Sequence, residues 1–579
     1  MKILKGIPVG PGVAIARPFL MERQGRFCPL RPVVSRQDLE REIKQFKDAV
    51  TKTADGMRRT KQRVQAKLGK GHGAILDAHL EILKDPLLVE ATIEDARKQR
   101  VNIAYAFYQR VQSFSKIMAS LGDEYLRERT NDIEDVGWQV LRNLTGGERR
   151  TLKAMKEPVI VLADDLSPSE TADIPRDSVV GFATIAGSRT SHTAIVAQAL
   201  ELPALVAVTE LRHVSVGEGP IVLDGLEGVL IVDPDEGTLN QYRRHRRVSD
   251  QRRRDLRKLT QLPTKTPDER QVALLANLEL PLEVQAALNA GAEGVGLLRT
   301  EFLFLNRASL PSEEVQYQWY KKIVQQMAPR PVVIRSLDLG GDKALTLGDA
   351  REMNPFLGLR GIRLCLANQE LFRIQLRAIL RASLHGKVEL MFPLVSSVEE
   401  FRQACRAVEE VKSELKSERI KFDEKLPIGV MIETPAAVLV ADHLAREAAF
   451  FSIGSNDLIQ YAIAVDRGNQ STNYLYEPLH PAILRLIQRA LESAHHAGIK
   501  VTVCGEIAAD PLAGVLLLGL GVDAFSVSPV SISETKRIIR ATSYAEAKAV
   551  AEEALTLPTA LAIKELVRSR LGERVVQNI

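Results

Sequence analysis

The sequence predicts a multidomain α/β chain: a small α/β domain carrying an inserted α-helical bundle, then a C-terminal (β/α)8 TIM-type barrel. Three observations predict it. The 579 residues are more than one hydrophobic core can serve. From Ser35 to Leu144 the chain runs in long helical periods almost free of Pro and Gly. From Gln271 onward, eight β-like runs alternate with helical stretches, which is the count of a closed (β/α)8 barrel.

Each element follows in order. Residues up to about Met21 read as strand and turn, punctuated by Val9-Gly10-Pro11-Gly12. Helices are predicted over 38–68, 74–83, 87–98, 103–121 and 132–144, with apolar residues three and four apart, as at Ile75, Ala78, Leu80, Ile82 and Leu83. From Pro158 short β-runs take over: VIVLAD, VVGFAT, a helix from Ser191, PALVAV, PIVLDG and VLIVD. The opening strand is too short to fold alone and is expected to complete this sheet. The domain boundaries expected are 1–23 with 146–235 for the α/β domain, 24–145 for the helical domain, 236–263 for a basic helical linker and 264–579 for the barrel.

Composition excludes several classes. Hydrophobic residues at 45% and charged residues at 26% are the balance of a soluble globular protein. No apolar run reaches the length of a bilayer span, the segment 516–520 being far too short. The start, MKILKGIPVGPGVAIA, meets Pro and Gly before a signal-peptide core forms. Cys28, Cys365, Cys405 and Cys504 share no spacing that suggests a disulfide framework or zinc site, so a reducing, cytoplasmic setting is expected. The net charge of +5 is local in origin: Gln241 to Lys258 holds nine Lys/Arg and two Asp, and the rest of the chain is slightly acidic. Only Tyr242 interrupts that run with an aromatic ring, so a solvated interdomain helix is expected and no nucleic-acid partner.

The barrel runs end in polar groups: Arg299 and Glu301, Arg335 and Asp338, Glu433, Asn456 and Asp457, Cys504 and Glu506. Strand C-termini of such a barrel share one mouth, so these groups should converge. Arg467 lies just beyond the sixth run, and Arg360 and Arg363 lie in a nearby loop. Guanidinium groups bind phosphate and carboxylate by forked hydrogen bonds. Two carboxylates with water and substrate oxygens suit Mg2+. The mouth therefore fits a small anion bearing both phosphate and carboxylate. One Arg–acid pair would read as a rim salt bridge; five strand ends together do not. Cys504 taken alone reads as a buried structural thiol, and in this mouth a proton donor or acceptor is comparably plausible.

The second locus is Gly187-Ser188-Arg189-Thr190-Ser191-His192-Thr193-Ala194. Thr190 or Ser191 would cap the helix AIVAQAL, placing His192 in its first turn. The positive helix end favours a neutral, nucleophilic imidazole and then stabilises an attached phosphate. His213 and His495 read as structural. No GxxxxGK[ST] loop or dinucleotide glycine pattern is present.

These residues carry a resemblance. GIPVGPGVAIA, DAHLEILKDP, RERTNDIEDV, DDLSPSETA, GSRTSHTAIVAQALELPALV, GVGLLRTEFLF, RSLDLGGDK, NPFLGLRGIRL, MIETPAAV, FFSIGSNDLIQYAIAVDRGN and VCGEIAADP together resemble the enzyme I family of the bacterial phosphoenolpyruvate:sugar phosphotransferase system, across essentially the whole chain. The resemblance implies that His192 carries the phosphoryl group within a swivelling phosphohistidine domain. It implies that Arg299, Arg335, Lys343, Asn456 and Arg467 hold phosphoenolpyruvate, that Glu433 and Asp457 hold Mg2+, and that Cys504 protonates the enolate to give pyruvate. It also implies an HPr-type carrier protein docking on the helical domain, and a homodimer formed through the barrel. Ser188 and Ala509 depart from the family pattern, both as small residues. ATP-using relatives that share the histidine and barrel need a further nucleotide-binding domain, and no long stretch is left to supply it. A regulatory scaffold without catalysis would not need His192, Arg299, Glu433, Asp457 and Cys504 together.

Overall fold

A computed structural model describes residues 1–10, 12–21, 36–68, 80, 83, 85–120, 136–141, 143–144, 157–164, 166, 175, 178–187, 197, 202–214, 216–217, 219–304, 310–339, 354–467, 469 and 471–575. The chain divides into two compact units, Met1–Ser249 and Asp250–Ile579.

In the first unit the opening residues form β1 (Lys2–Lys5), β2 (Ile7–Gly10) and β3 (Val13–Leu20). They join β4 (Val159–Ala163), β5 (Val179–Thr184), β6 (Ala204–Val206), β7 (Ile221–Asp224) and β8 (Val229–Val232) in one sheet ordered β1-β8-β7-β3-β4-β5-β6-β2. The opening segment does complete the sheet. β1 pairs antiparallel with β8, Leu4 opposite Leu230, and β3 sits between β7 and β4. Alternation explains the fit: Ala14 and Ala16 pack with Ile160 and Leu223 on one face, and Phe19 packs with Val161 and Phe182 on the other. β3 and β4 run parallel, a pairing that requires a long crossover. The helical bundle lies within that crossover.

The bundle comprises α1 (Arg36–Leu68), α2 (Pro86–Gln99) and α3 (Ile103–Ser120), with helical turns again at 136–141. Phe46 and Phe107 are fully buried at its centre, their rings 5.0 Å apart. The helix predicted at 74–83 and the one starting at Ser191 fall almost entirely outside the described residues. A fourth long helix, α4 (Glu236–Leu259), carries the basic run. Its first turns bury Leu239 and part of Tyr242 against Val222 and Ile231, while Arg243, Arg244 and Arg247 are exposed.

The second unit closes a barrel from β9 (Ala273–Leu278), β10 (Val295–Leu298), β11 (Val332–Arg335), β12 (Val388–Phe392), β13 (Ile428–Ile432), β14 (Phe450–Ile453), β15 (Lys500–Val503) and β16 (Ala524–Val527). All eight neighbouring pairs are parallel. Alternation separates two layers. Val430, Ile432, Phe451 and Ile453 face outward into the main core beneath the helices. Leu297, Val333, Met391 and Met431 form a separate inner cluster with Cys504 and part of Phe450. The segment after α4 is tied to the barrel: buried Lys536 donates to the carbonyls of Thr260 and Leu262, both at 3.0 Å, and Arg540 donates to that of Pro263 at 2.7 Å. Among the described residues, no helix is long and apolar enough to cross a membrane.

Candidate active site

The barrel places its polar strand ends at one mouth. Arg299 follows β10, Arg335 ends β11, Glu433 follows β13, Asp457 lies in the first turn of the helix after β14, and Cys504 follows β15. Residues His192 and Lys343 lie outside the described residues.

Ion pairs link these groups. Arg335 Nη2 donates to Glu301 Oε1 at 2.6 Å and its Nη1 lies 3.1 Å from Asp338 Oδ2. Arg360 Nη2 bridges Asp338 Oδ2 at 2.9 Å and Asp457 Oδ2 at 2.7 Å, and its Nη1 donates to the Tyr461 hydroxyl at 3.2 Å. Nearer the rim, half-buried Arg299 pairs with Glu279 at 2.6 Å. Glu433 Oε1 accepts the Leu394 backbone N–H at 2.6 Å.

A deep position for Glu433 depends on a glycine. A Cβ on Gly454 would lie 2.6 Å from Glu433 Oε2 and 2.9 Å from its Cβ, so only glycine leaves the carboxylate room.

The inner charges do not balance. Among the described residues, four buried carboxylates, Glu301, Asp338, Glu433 and Asp457, face two guanidinium groups, Arg335 and Arg360. Buried charge needs compensation. Without it, burial and the neighbouring Asp457 and Asp338 push the Glu433 carboxyl well up, against the pull of Arg335 and Arg360. Glu433 makes no ion pair among the described residues, and Asp457 shares Arg360 with Asp338; these two carboxylates suit one divalent cation completed by water and ligand oxygens. No cluster of three or more His, Cys, Asp or Glu that could hold a metal ion occurs among the described residues. The mouth also keeps donors in reserve: Arg335 Nε and Ser455 Oγ are buried without a hydrogen-bond partner among the described residues.

Cys504 forms part of the floor. It is 2% exposed, in the inner cluster with Met431, whose sulfur is 3.7 Å from Arg335 Nη1. Burial raises its thiol; a hydrogen bond from Ser452 opposes this, Glu433 adds to it, and Arg335 and Arg299 pull it down. Its backbone carbonyl accepts from Asn277 Nδ2 at 2.9 Å, and Asn277 Oδ1 in turn accepts from Ser526 Oγ at 2.6 Å.

The structure thus brings Arg299, Arg335, Glu433, Asp457 and Cys504 together. Asn456 stands at the rim, exchanging hydrogen bonds with Glu506, from Nδ2 to Oε1 at 3.2 Å and from the Glu506 N–H to Oδ1 at 2.9 Å. Arg467 is exposed on the loop beyond, tied through its backbone N–H to Gln460 Oε1 at 3.3 Å. Of the two loop arginines, Arg360 enters the site, whereas Arg363 turns to Ser396 Oγ at 3.2 Å. Sequence reading did not single out Glu279, Tyr461 or Ser452. The signal for Ser452 was available: a hydroxyl at an inward position of the otherwise apolar run FFSI.

Three family models match the chain: "PEP-utilising enzyme, N-terminal" over residues 5–129, "PEP-utilising enzyme, mobile domain" over 155–228 and "PEP-utilising enzyme, PEP-binding domain" over 253–544. The phosphoenolpyruvate-protein phosphotransferases of Bacillus sp. (strain S) and Geobacillus stearothermophilus are each 42% identical over 569 residues, covering 98% of this chain and 98% of theirs. That of Priestia megaterium is 39% identical over 98% of this chain and 99% of its own.

Proposed function

We propose a reaction from one premise: the chain belongs to the phosphoenolpyruvate–protein phosphotransferase family of phosphoenolpyruvate-utilising enzymes, and is a phosphotransferase. On our reading it moves the phosphoryl group of phosphoenolpyruvate to its own His192 and then to a histidine of an HPr-type carrier, releasing pyruvate. This is the first step of sugar uptake by the phosphotransferase system, in the cytoplasm. The observation that carries the reading is the barrel mouth, where arginines and a charge-deficient carboxylate pair stand over a buried thiol.

Arg299 and Arg335 take the carboxylate and phosphate of the substrate by forked hydrogen bonds, with Lys343, Asn456 and Arg467 as further ligands. Arg335 Nε supports this, being a buried donor with no acceptor among the described residues. Glu433 and Asp457 would hold Mg2+, and Arg360 keeps the Asp457 carboxylate in place through its 2.7 Å contact. When bound, Mg2+ supplies positive charge to the phosphoryl oxygens as the group transfers. His192 accepts that group in line, as a neutral imidazole, which the helix start expected there from the sequence would favour. Cys504 gives its proton to the enolate carbon, so that pyruvate leaves and the reaction does not run back.

One carrier histidine serving a barrel mouth and an acceptor protein on the helical bundle requires the small α/β domain to swivel. Dimerisation through the barrel is supported by exposed apolar side chains on short helical turns after its strands, with Leu357 at 65%, Leu439 at 55% and Tyr474 at 78%. The reading is tested by mixing the purified chain with labelled phosphoenolpyruvate, Mg2+ and candidate HPr-type acceptors. Label on the chain and then on an acceptor, with equimolar pyruvate, is expected. Labelling from ATP instead would assign the chain to another chemistry.

A further inference from the structure

We propose that Ser452 is a positioning residue for the proton-transfer step: its hydroxyl is aimed at Cys504 Sγ to hold the thiolate left when the thiol proton passes to the enolate carbon. The proposal rests on the reading of Cys504 as the proton donor and goes beyond it by naming the group that makes the thiol usable as one.

Geometry comes first. Ser452 lies in β14, paired with Thr502 of β15 two residues before Cys504. The strand alternates, with Phe451 and Ile453 outward in the main core and Phe450 against the inner cluster. Ser452 therefore points inward, 1% exposed, and its Oγ donates to Cys504 Sγ at 3.2 Å. The thiol donates in turn toward the Ile453 carbonyl at 3.5 Å.

A buried hydroxyl needs a good acceptor, and a neutral thiol is a weak one. As a support for the resting fold the pairing is poor; against a thiolate it becomes a charge-assisted hydrogen bond and is strong. The arrangement matches the product of proton donation better than its starting state. That is the mark of an interaction that lowers a barrier.

The step balances within the site. The S–H bond breaks and its electron pair stays on sulfur. The enolate π pair forms the new C–H bond at the methylene carbon, the enolate oxygen becomes the ketone of pyruvate, and the thiolate is later reprotonated from water. Charged groups around the sulfur are Glu433 after β13, which opposes a thiolate, and Arg335 and Arg299 after β11 and β10, which favour it. Terminal nitrogens of both arginines pair with Glu301, Asp338 and Glu279, and among the described residues it is the Ser452 hydroxyl that donates a hydrogen bond to the sulfur.

The test uses the full chain, comparing wild type, Ser452→Ala and Cys504→Ser. Without metal or substrate, alkylation of Cys504 by iodoacetamide is followed against pH by peptide mass spectrometry. With Mg2+ and pyruvate, exchange of the methyl protons in deuterated water is followed by NMR. Ser452→Ala should move the alkylation midpoint to higher pH and slow methyl exchange by roughly ten- to a hundredfold, the worth of a hydrogen bond to a charged group. Phosphoenolpyruvate affinity should stay at the wild-type value. If Ser452→Ala keeps the wild-type midpoint and exchange rate while Cys504→Ser loses exchange, the role given to Ser452 is wrong and that of Cys504 stands. If Cys504→Ser exchanges at the wild-type rate, the reading of Cys504 itself fails.

Discussion

The role proposed for Cys504 depends on two neighbours: the strand before it ends at the mouth, and the strand beside it offers a hydroxyl. A thiol keeps its proton near neutral pH yet releases it more readily than an alcohol. Cys504→Ser should therefore bind phosphoenolpyruvate as wild type does in calorimetry, while pyruvate release falls by roughly 10²–10⁴-fold, the range for losing one acid–base group. Glu433 depends on a different kind of neighbour. In Gly454→Ala the new Cβ would stand 2.6 Å from Glu433 Oε2, so the carboxylate must shift. Mg2+ affinity, read by titration calorimetry, should drop about ten- to a hundredfold, as for other losses of ligand support, with the secondary structure unchanged by circular dichroism. At this scale the sequence was legible where a polar residue ended an apolar run: Arg299, Arg335, Glu433, Asp457 and Cys504 all did. Ser452 and Asn277 stand out in the sequence only as polar residues inside apolar runs; their partners were not legible, because these depend on the neighbouring strand's register, which one chain segment does not encode.

Among the elements, the eight barrel strands could be read because each is an apolar run bounded by turns, buried on both faces as parallel strands are. The closure and order of the barrel add nothing to that pattern and follow from the βα alternation. The first sheet was legible in its strands but not in its order, since β1, β2 and β3 find partners more than a hundred residues away. Lys536 shows an element-scale contact with no sequence signature: a buried lysine closing the chain after α4 by two carbonyl contacts at 3.0 Å. Lys536→Met keeps the length of the side chain but orphans both carbonyls. It should cost roughly 1–3 kcal/mol, measured as a shift of the urea midpoint at constant m-value. Because residues 260–263 are fastened this way, the proposed swivel should hinge upstream of them, within α4.

For the whole molecule, two units with separate cores predict separable activities. Residues 1–249 hold the helical bundle, the small sheet and His192. That fragment should exchange phosphate with a phosphorylated HPr-type acceptor and remain unlabelled by phosphoenolpyruvate, whose site lies in the barrel. Direct labelling of the fragment by phosphoenolpyruvate would remove the barrel from the reaction. The most direct measurement is the site of the label in the full chain. After brief incubation with phosphoenolpyruvate and Mg2+, phosphopeptide mapping at alkaline pH, where phosphohistidine survives, should find the phosphoryl group on His192, and His192→Ala should carry none and pass none to the acceptor. Label on another residue, or wild-type transfer by His192→Ala, would contradict the account.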